Sequence, residues 1–482
     1  MKKVTMKYLP SQPLEMHKVK IVQQTHLLDV DARYSSMKKA GYNTFLLKSA
    51  DVFLDMLTDS GVNANSDNQL AASMQADDAY AGSQTYYRLE EKVTSLLGLP
   101  YFLPAHQGRA CEHILAKTLV KPGQRVPMNY HFTTTKGHIV AMGGIVDELV
   151  IDEGLDFRSN HPFKGNLDLN KLEAYFKKYR KEDIAFLRLE AGTNLIGGQP
   201  ISMENAKAVT AMCKEKGVLS MLDASLLQDN LHFIKNREEQ YKDVSIKDIT
   251  KEFCGLFDIV YFSARKFGFA KGGGILVKDK DLHESMKGFV VMYEGFLTYG
   301  GMSTKEMEAI AVGLEETMEE EVIAQGPQFI EYMVNTLVKY DVPMITPAGG
   351  LGAHVDARRF LPHIAQEEYP SASLAAALYL ISGIRGMERG TLSEQRNPDG
   401  SEKLADMELL RLAIPRRVYT LSQINYAIDR IIWLYEHRHL VGGMKFIKEP
   451  ETLRFFFGEL APINNWQENL LKAFKEDFPD LV

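Results

Sequence analysis

Cysteine is scarce in this chain: Cys111, Cys213 and Cys254 are the only three among 482 residues, and they lie far apart. That excludes a disulfide framework and a closed thiolate metal site, suits a reducing cytosol, and leaves each thiol reading as a small buried hydrophobe. Positive charge is not in excess either, since 56 Lys and Arg face 63 Asp and Glu for a net charge of −7. A nucleic-acid partner is therefore not expected. Nothing is long and charge-free enough to cross a bilayer, and the start MKKVTMKYLPSQPLEMHKVK carries charge without an apolar segment behind it, so it does not read as a secretory signal. Internal repeats are absent, and the most biased tract, EETMEEE at Glu315 to Glu321, reads as a solvated helix face.

What is present is ordinary globular material, with 45% hydrophobic and 25% charged residues. The length exceeds what one core supports, so two domains are expected. We divide the sequence into an N-terminal arm with part of a small domain (1–60), a large domain (61–320) and a small C-terminal α+β domain (321–482). The polar, proline-containing start is expected to order against a sister subunit.

Between Gln84 and Val277 strand and helix signals alternate. YFLPA precedes HQGRACEHILAKTL, VPMNYHF follows, and MENAKAVTAMCKEKG reads as a helix closed by Gly217. The runs IAFLRL, VLSMLD and IVYFSA are apolar throughout, as parallel strands covered on both faces require. An α/β domain with ligands at the strand C-terminal ends is predicted. The stretch STKEMEAIAVGLEETMEEEVIAQ is predicted to form one long amphipathic helix before the glycines of PAGGLGAHVDARRF mark a change of unit.

Two of these strand ends carry complementary chemistry. Asp223 closes VLSMLD, and Lys266 follows IVYFSA 43 positions later, ahead of Gly272 to Gly274. A lysine amine can form a Schiff base with pyridoxal phosphate while a carboxylate keeps the pyridinium nitrogen protonated. A lone lysine after a strand is, however, most often a solvated surface group. Gly108 opens a helix beside Arg109, whose free backbone amides favour an anionic phosphate, although an ordinary capped helix with a surface arginine reads as well. Ser263 and Arg265 supply two further donors. Phe132 in NYHFTTT can lie flat on a ring or belong to the core.

Longer stretches carry a resemblance: GYNTFLLKSADVFLDMLTDSGVNANSD, DDAYAGSQTYY, PAHQGRACEHIL, FTTTKGH, AGTNLIGGQPISM, YEGFLTYGG, VDARRF, MERGTLSEQRN, LRLAIPRRVYT and GGMKFIKEPETLRFFF. Together they resemble the β-eliminating lyases that use pyridoxal phosphate, the tyrosine phenol-lyase and tryptophanase family. MERG makes the likeness closer to the tyrosine phenol-lyase branch. The resemblance implies the aspartate aminotransferase-like fold type I, a large mostly parallel sheet domain with a smaller α+β domain.

It also implies roles, position by position. Lys266 would hold the cofactor and later remove the substrate α-proton, and Asp223 would pair with the pyridine nitrogen. Gln107, Gly108, Arg109, Ser263 and Arg265 would hold the phosphate, Phe132 would stack on the ring, and Asn194 would approach cofactor and substrate carboxylate. Arg411 would clamp that carboxylate with help from the Ser60 loop. Arg389 and Thr133 would hold a phenolic hydroxyl, Phe455 and Phe456 would close over the ring, and Tyr80, reaching from a neighbouring subunit, would protonate the departing carbon. One acid and one base must face each other to expel a carbon leaving group. Taken alone, Arg411 leaves a structural ion pair as the alternative, and Tyr80 reads as a core or interface tyrosine.

The chain departs from the family at two places. Leu226 stands where the family has an arginine bonding the cofactor's phenolic oxygen, which puts the leaving group in doubt. Lys271 and Asp78 occupy the family's monovalent-cation site, so the Lys271 ammonium is expected to replace potassium by pairing with Asp78, against the bland reading of a solvent-facing lysine.

The expected activity is a cytoplasmic lyase converting tyrosine to phenol, pyruvate and ammonia as a homotetramer with active sites at dimer interfaces. The alternatives are a lyase for another β-substituted amino acid (tryptophan, a cysteine derivative or a non-proteinogenic one), an aminotransferase-type enzyme of the same fold, and a cofactor-binding protein that has lost turnover.

Overall fold

In the computed structural model of the chain, the residues described are 6, 7 and 10–479. They divide into two compact units, one spanning Asp59–Pro327 and the other made of the residues up to Thr58 together with those from Gln328 onward. The division at Pro327 falls inside the helix Glu320–Val338, where proline removes one backbone donor.

The first unit is built on a seven-stranded sheet in the order Tyr101–Ala105, Gly273–Val277, Ile259–Ser263, Ser220–Asp223, Leu187–Glu190, Arg125–Met128, Ile145–Glu148. Gly273–Val277 runs antiparallel to both its neighbours, and the remaining pairs are parallel. Alternate residues serve opposite faces, as a period of two requires. Leu187, Leu189, Leu222, Val260 and Phe262 enter one apolar cluster, whereas Phe186, Met221, Ile259 and Tyr261 enter another. Helices cover both faces: Met203–Lys216 and Leu227–Arg237 pack on the first, Gly108–Leu119 on the second. This two-sided cover is why the strands read as continuous apolar runs.

Local signals set the helix ends. Ser202 caps Met203–Lys216 by accepting from the Asn205 amide, and Gly217 closes it in the left-handed region at φ 65°. The predicted single helix from Ser303 is instead two, Thr304–Glu316 and Glu320–Val338. The Thr317 hydroxyl bonds the Leu314 carbonyl at 2.7 Å, a side-chain bond that competes with helix continuation. The acidic tract therefore spans a helix junction, with Glu315, Glu319 and Glu321 exposed.

The second unit holds an antiparallel sheet, Met387–Arg389, Leu409–Ala413 and Gly352–Asp356 in that order. One face, with Leu410, Leu412, Ala353 and Val355, packs into a core that includes the wholly buried helix Pro370–Ser382.

Candidate active site

Five strands of the large sheet that run in one direction end beside the residues predicted to hold a cofactor. Gln107 and Gly108 follow Tyr101–Ala105, Phe132 follows Arg125–Met128, and Asn194 follows Leu187–Glu190. Asp223 closes Ser220–Asp223, and Lys266 follows Ile259–Ser263. The Lys266 amine lies 5.5 Å from the centroid of the Phe132 ring. A tight turn presents it, with the Lys266 and Phe267 amides both donating to the Ser263 carbonyl, at 3.1 and 3.0 Å.

Gly108 begins the helix Gly108–Leu119 behind Gln107, which provides no side-chain cap; the Ala110 and Cys111 amides donate to the Gln107 carbonyl at 3.1 and 3.4 Å, and the Gly108 and Arg109 amides ahead of them suit another acceptor. A methyl group on Gly108 would stand 2.8 Å from the Ser263 Cβ, and one on Gly273 would stand 2.6 Å from the Phe262 carbonyl. Side chains are excluded from this cradle, and a phosphate fits donors of this kind. Arg109 is exposed. The Arg265 Nε donates to the Ser60 hydroxyl at 3.3 Å, and its carbonyl accepts from the Gly61 amide at 2.8 Å and the Asn63 Nδ2 at 3.1 Å. Gly61 has φ 76°, and a methyl group there would lie 2.3 Å from the Arg265 Nη2, so only glycine suits this turn.

Asp223 is buried in a polar cluster that the sequence reading missed. The Arg188 Nη2 donates to its Oδ2 at 2.5 Å and the Tyr261 hydroxyl to the same oxygen at 2.8 Å, while the Ser225 amide donates to Oδ1 at 2.9 Å. Burial works against the carboxylate charge, but the Arg188 guanidinium and these donors outweigh it and hold Asp223 below its ordinary pKa. Glu190 accepts from Arg188 at 3.2 Å and from the Asn194 amide at 3.1 Å, which fixes Asn194. Glu112 is pushed up to about 7 by burial and by Asp223. It accepts from Thr134 and Thr135, each at 2.6 Å. These threonines lie in the first turn of the helix Thr133–Ala141, directly after Phe132. The available signal was RLE at Arg188 to Glu190, two charges one residue apart inside an otherwise apolar strand.

Leu226 is buried, and a methyl group on Gly192 would meet its Cβ at 2.9 Å. Tyr80 is 73% exposed and packs against Phe296 and Tyr299 at 5.6 and 5.5 Å between ring centroids. The expected Lys271–Asp78 ion pair is absent among the described residues. Asp78 accepts from the Thr304 hydroxyl at 2.8 Å, the Lys271 backbone amide donates to Glu306 at 3.0 Å, and the Lys271 side chain is exposed.

In the second unit, Arg389 and Arg411 rise from one face of the three-stranded sheet. The Arg411 Nη2 donates to the Leu57 carbonyl and the Met387 sulfur at 2.9 and 2.8 Å. The Arg389 guanidinium lies 5.7 Å from the Phe455 ring, which packs on Phe456 at 3.9 Å.

Named relatives match the chain along almost its whole length. It is 44% identical to the tyrosine phenol-lyase of Lacrimispora saccharolytica, covering 97% of this chain and 99% of that one. It is 43% identical to the tyrosine phenol-lyase of Fusobacterium nucleatum, covering 92% and 97%. Among solved structures, aspartate aminotransferase from Thermotoga maritima superposes with a TM-score of 0.58 at 12% identity, covering 84% of this chain and 96% of that one, a likeness of fold alone. The sequence profile of the beta-eliminating lyases matches residues 55–430, and the chain belongs to that family.

Proposed function

We propose that this protein is a pyridoxal-phosphate-dependent lyase that cleaves tyrosine, with one water, to phenol, pyruvate and ammonia. The observation that carries this reading is the Lys266 amine facing the Phe132 ring, with the buried Asp223 carboxylate at the next strand end. When bound through Lys266, the cofactor supplies the electron sink that lets an α-proton and then a β-substituent leave.

The chain's own residues do the rest. Gln107, Gly108, Ser263, Arg265 and Arg109 hold the phosphate, and Phe132 supports the ring. Arg411 grips the substrate carboxylate through its planar fork, with Asn194 and the Ser60 turn assisting. The freed Lys266 amine takes the α-proton. Arg389 and Thr133 hold the phenolic oxygen, and Phe455 and Phe456 bracket the ring. Tyr80 protonates the ring carbon so that phenol departs. Its exposure supports the reading that it serves the site of a neighbouring copy; a cytoplasmic homotetramer is the assembly we propose.

A second reading, elimination from another β-substituted amino acid, is favoured by Leu226, which offers the cofactor oxygen no donor. The test is incubation with tyrosine, tryptophan, cysteine derivatives and serine, with mass analysis of products and no keto-acid acceptor. Phenol and pyruvate from tyrosine alone support the leading reading, and products only when a keto acid is added would indicate transamination. Lys266→Ala should lose both the visible cofactor band and turnover. Potassium enters only as an activator to be measured, by comparing turnover in sodium, potassium and tetramethylammonium buffers.

A further inference from the structure

Arg188 sits in the centre of the parallel sheet with a wholly buried side chain. Its position follows from register: Glu190 pairs with Asp223, and Asp223 with Tyr261, so Arg188, Glu190, Asp223 and Tyr261 all rise from one face. The guanidinium spends its fork on three acceptors. Nη2 reaches Asp223 at 2.5 Å, Nη1 reaches Glu190 at 3.2 Å, and Nε reaches the Tyr261 oxygen at 3.0 Å. Tyr261 passes its own proton to Asp223 Oδ2.

Counting lone pairs shows what this leaves. A carboxylate offers about four acceptor positions. Arg188 and Tyr261 fill both on Oδ2, and the Ser225 amide takes one on Oδ1. The Ser225 hydroxyl also bonds the carboxylate, but a hydroxyl proton can rotate away while its oxygen keeps the Ser263 amide at 3.2 Å, and that opens one Oδ1 position. A ring nitrogen needs one, so the residues present fit the cofactor.

We propose that Arg188, with Tyr261, is a positioning residue for the cofactor: it turns Asp223 so that a single Oδ1 lone pair meets the pyridine nitrogen, and its charge weakens the hold of that carboxylate on the ring proton. A cation one carboxylate away opposes a second cation at the ring. Ring protonation is thus set by Arg188 rather than by Asp223 alone. The other ionisable groups facing this cluster are Glu112 from the helix Gly108–Leu119, Glu190 from the same strand, and Lys266. The inference rests on the reading that Lys266 carries pyridoxal phosphate.

The test is ¹⁵N NMR of the holoenzyme loaded with ring-labelled pyridoxal phosphate, followed from pH 6 to 10. Arg188→Met should move the ring-nitrogen resonance toward the protonated value and raise its half-titration point by about one pH unit or more. Arg188→Lys should return it toward the starting value. Removing Arg188 leaves buried acids without their cation, so Tyr261→Phe, which deletes one donor to Oδ2 and keeps the volume, is the second variant and should shift the resonance the same way by less. A purely structural role predicts lower stability with the resonance unmoved, and that result in whichever variant folds overturns the proposal. Wild-type protein that takes up no pyridoxal phosphate would instead defeat the functional reading, and this is seen before any variant is made.

Discussion

His354 stands directly opposite Arg411 in the pairing of Gly352–Asp356 with Leu409–Ala413, so a buried imidazole and a buried guanidinium share one face of the sheet. The imidazole Nδ1 lies 3.0 Å from the Gly352 carbonyl, which assigns its proton to that nitrogen. Burial, with Arg411 and Arg389 nearby, lowers its pKa to about 3. The unfolded chain therefore takes up this proton first, and stability falls as pH drops from the ordinary histidine range toward 3. At pH 5 the loss is on the order of 2 kcal/mol. His354→Phe should narrow the difference in melting temperature between pH 7 and pH 5 by several degrees, and an unchanged difference would count against this account.

Glu388 behaves in the opposite sense. Burial and the neighbouring Glu408 push its pKa up to about 8. The folded state keeps the proton that the unfolded chain releases, so stability falls as pH rises from about 4.5 to 8. The full span is worth on the order of 5 kcal/mol. Glu388→Gln keeps a carbonyl for the Gly390 amide, which now donates to Glu388 at 2.5 Å. It should flatten the decline in denaturation midpoint across that window, and an equally steep decline in the variant refutes the assignment.

Gly108→Ala tests the phosphate cradle. The added methyl meets the Ser263 Cβ at 2.8 Å, an overpacking cost of about 1–3 kcal/mol. Because the strain falls on the cradle, titration of the apoprotein should show pyridoxal phosphate binding weakened by about tenfold, the equivalent of ~1.4 kcal/mol. Undiminished affinity would remove Gly108 from the site.

Tyr80→Phe separates proton donation from elimination. Loss of a general acid should lower turnover of tyrosine by about 10²–10⁴-fold. An S-aryl cysteine, whose thiolate leaves without protonation at carbon, should be cleaved at close to the unsubstituted rate. Equal losses on both substrates would mean that Tyr80 serves structure or binding instead.

The parts legible in the sequence were those where local chemistry and burial agree. IAFLRL, VLSMLD and IVYFSA became Leu187–Glu190, Ser220–Asp223 and Ile259–Ser263, because strands covered on both faces admit few polar residues. The places of Lys266 and Asp223 in the fold were legible because Asp223 ends one such strand and Lys266 closely follows another. Arg188 and Glu190 were not: charges inside an apolar run have meaning only once register brings Asp223 and Tyr261 beside them. The Lys271–Asp78 pair failed for a related reason, since Thr304, whose hydroxyl bonds Asp78 in place of the ammonium, lies more than 200 positions from Asp78 in sequence. The helix junction at Thr317 turned on one hydroxyl-to-carbonyl bond that periodicity does not register.

The turn at Ser60–Gly61 is tied by two hydrogen bonds to the carbonyl of Arg265, the peptide leading into Lys266. Glycine geometry leaves that joint no slack. The peptide that precedes Lys266 is therefore anchored from outside its own strand, by a loop more than 200 positions earlier in the chain.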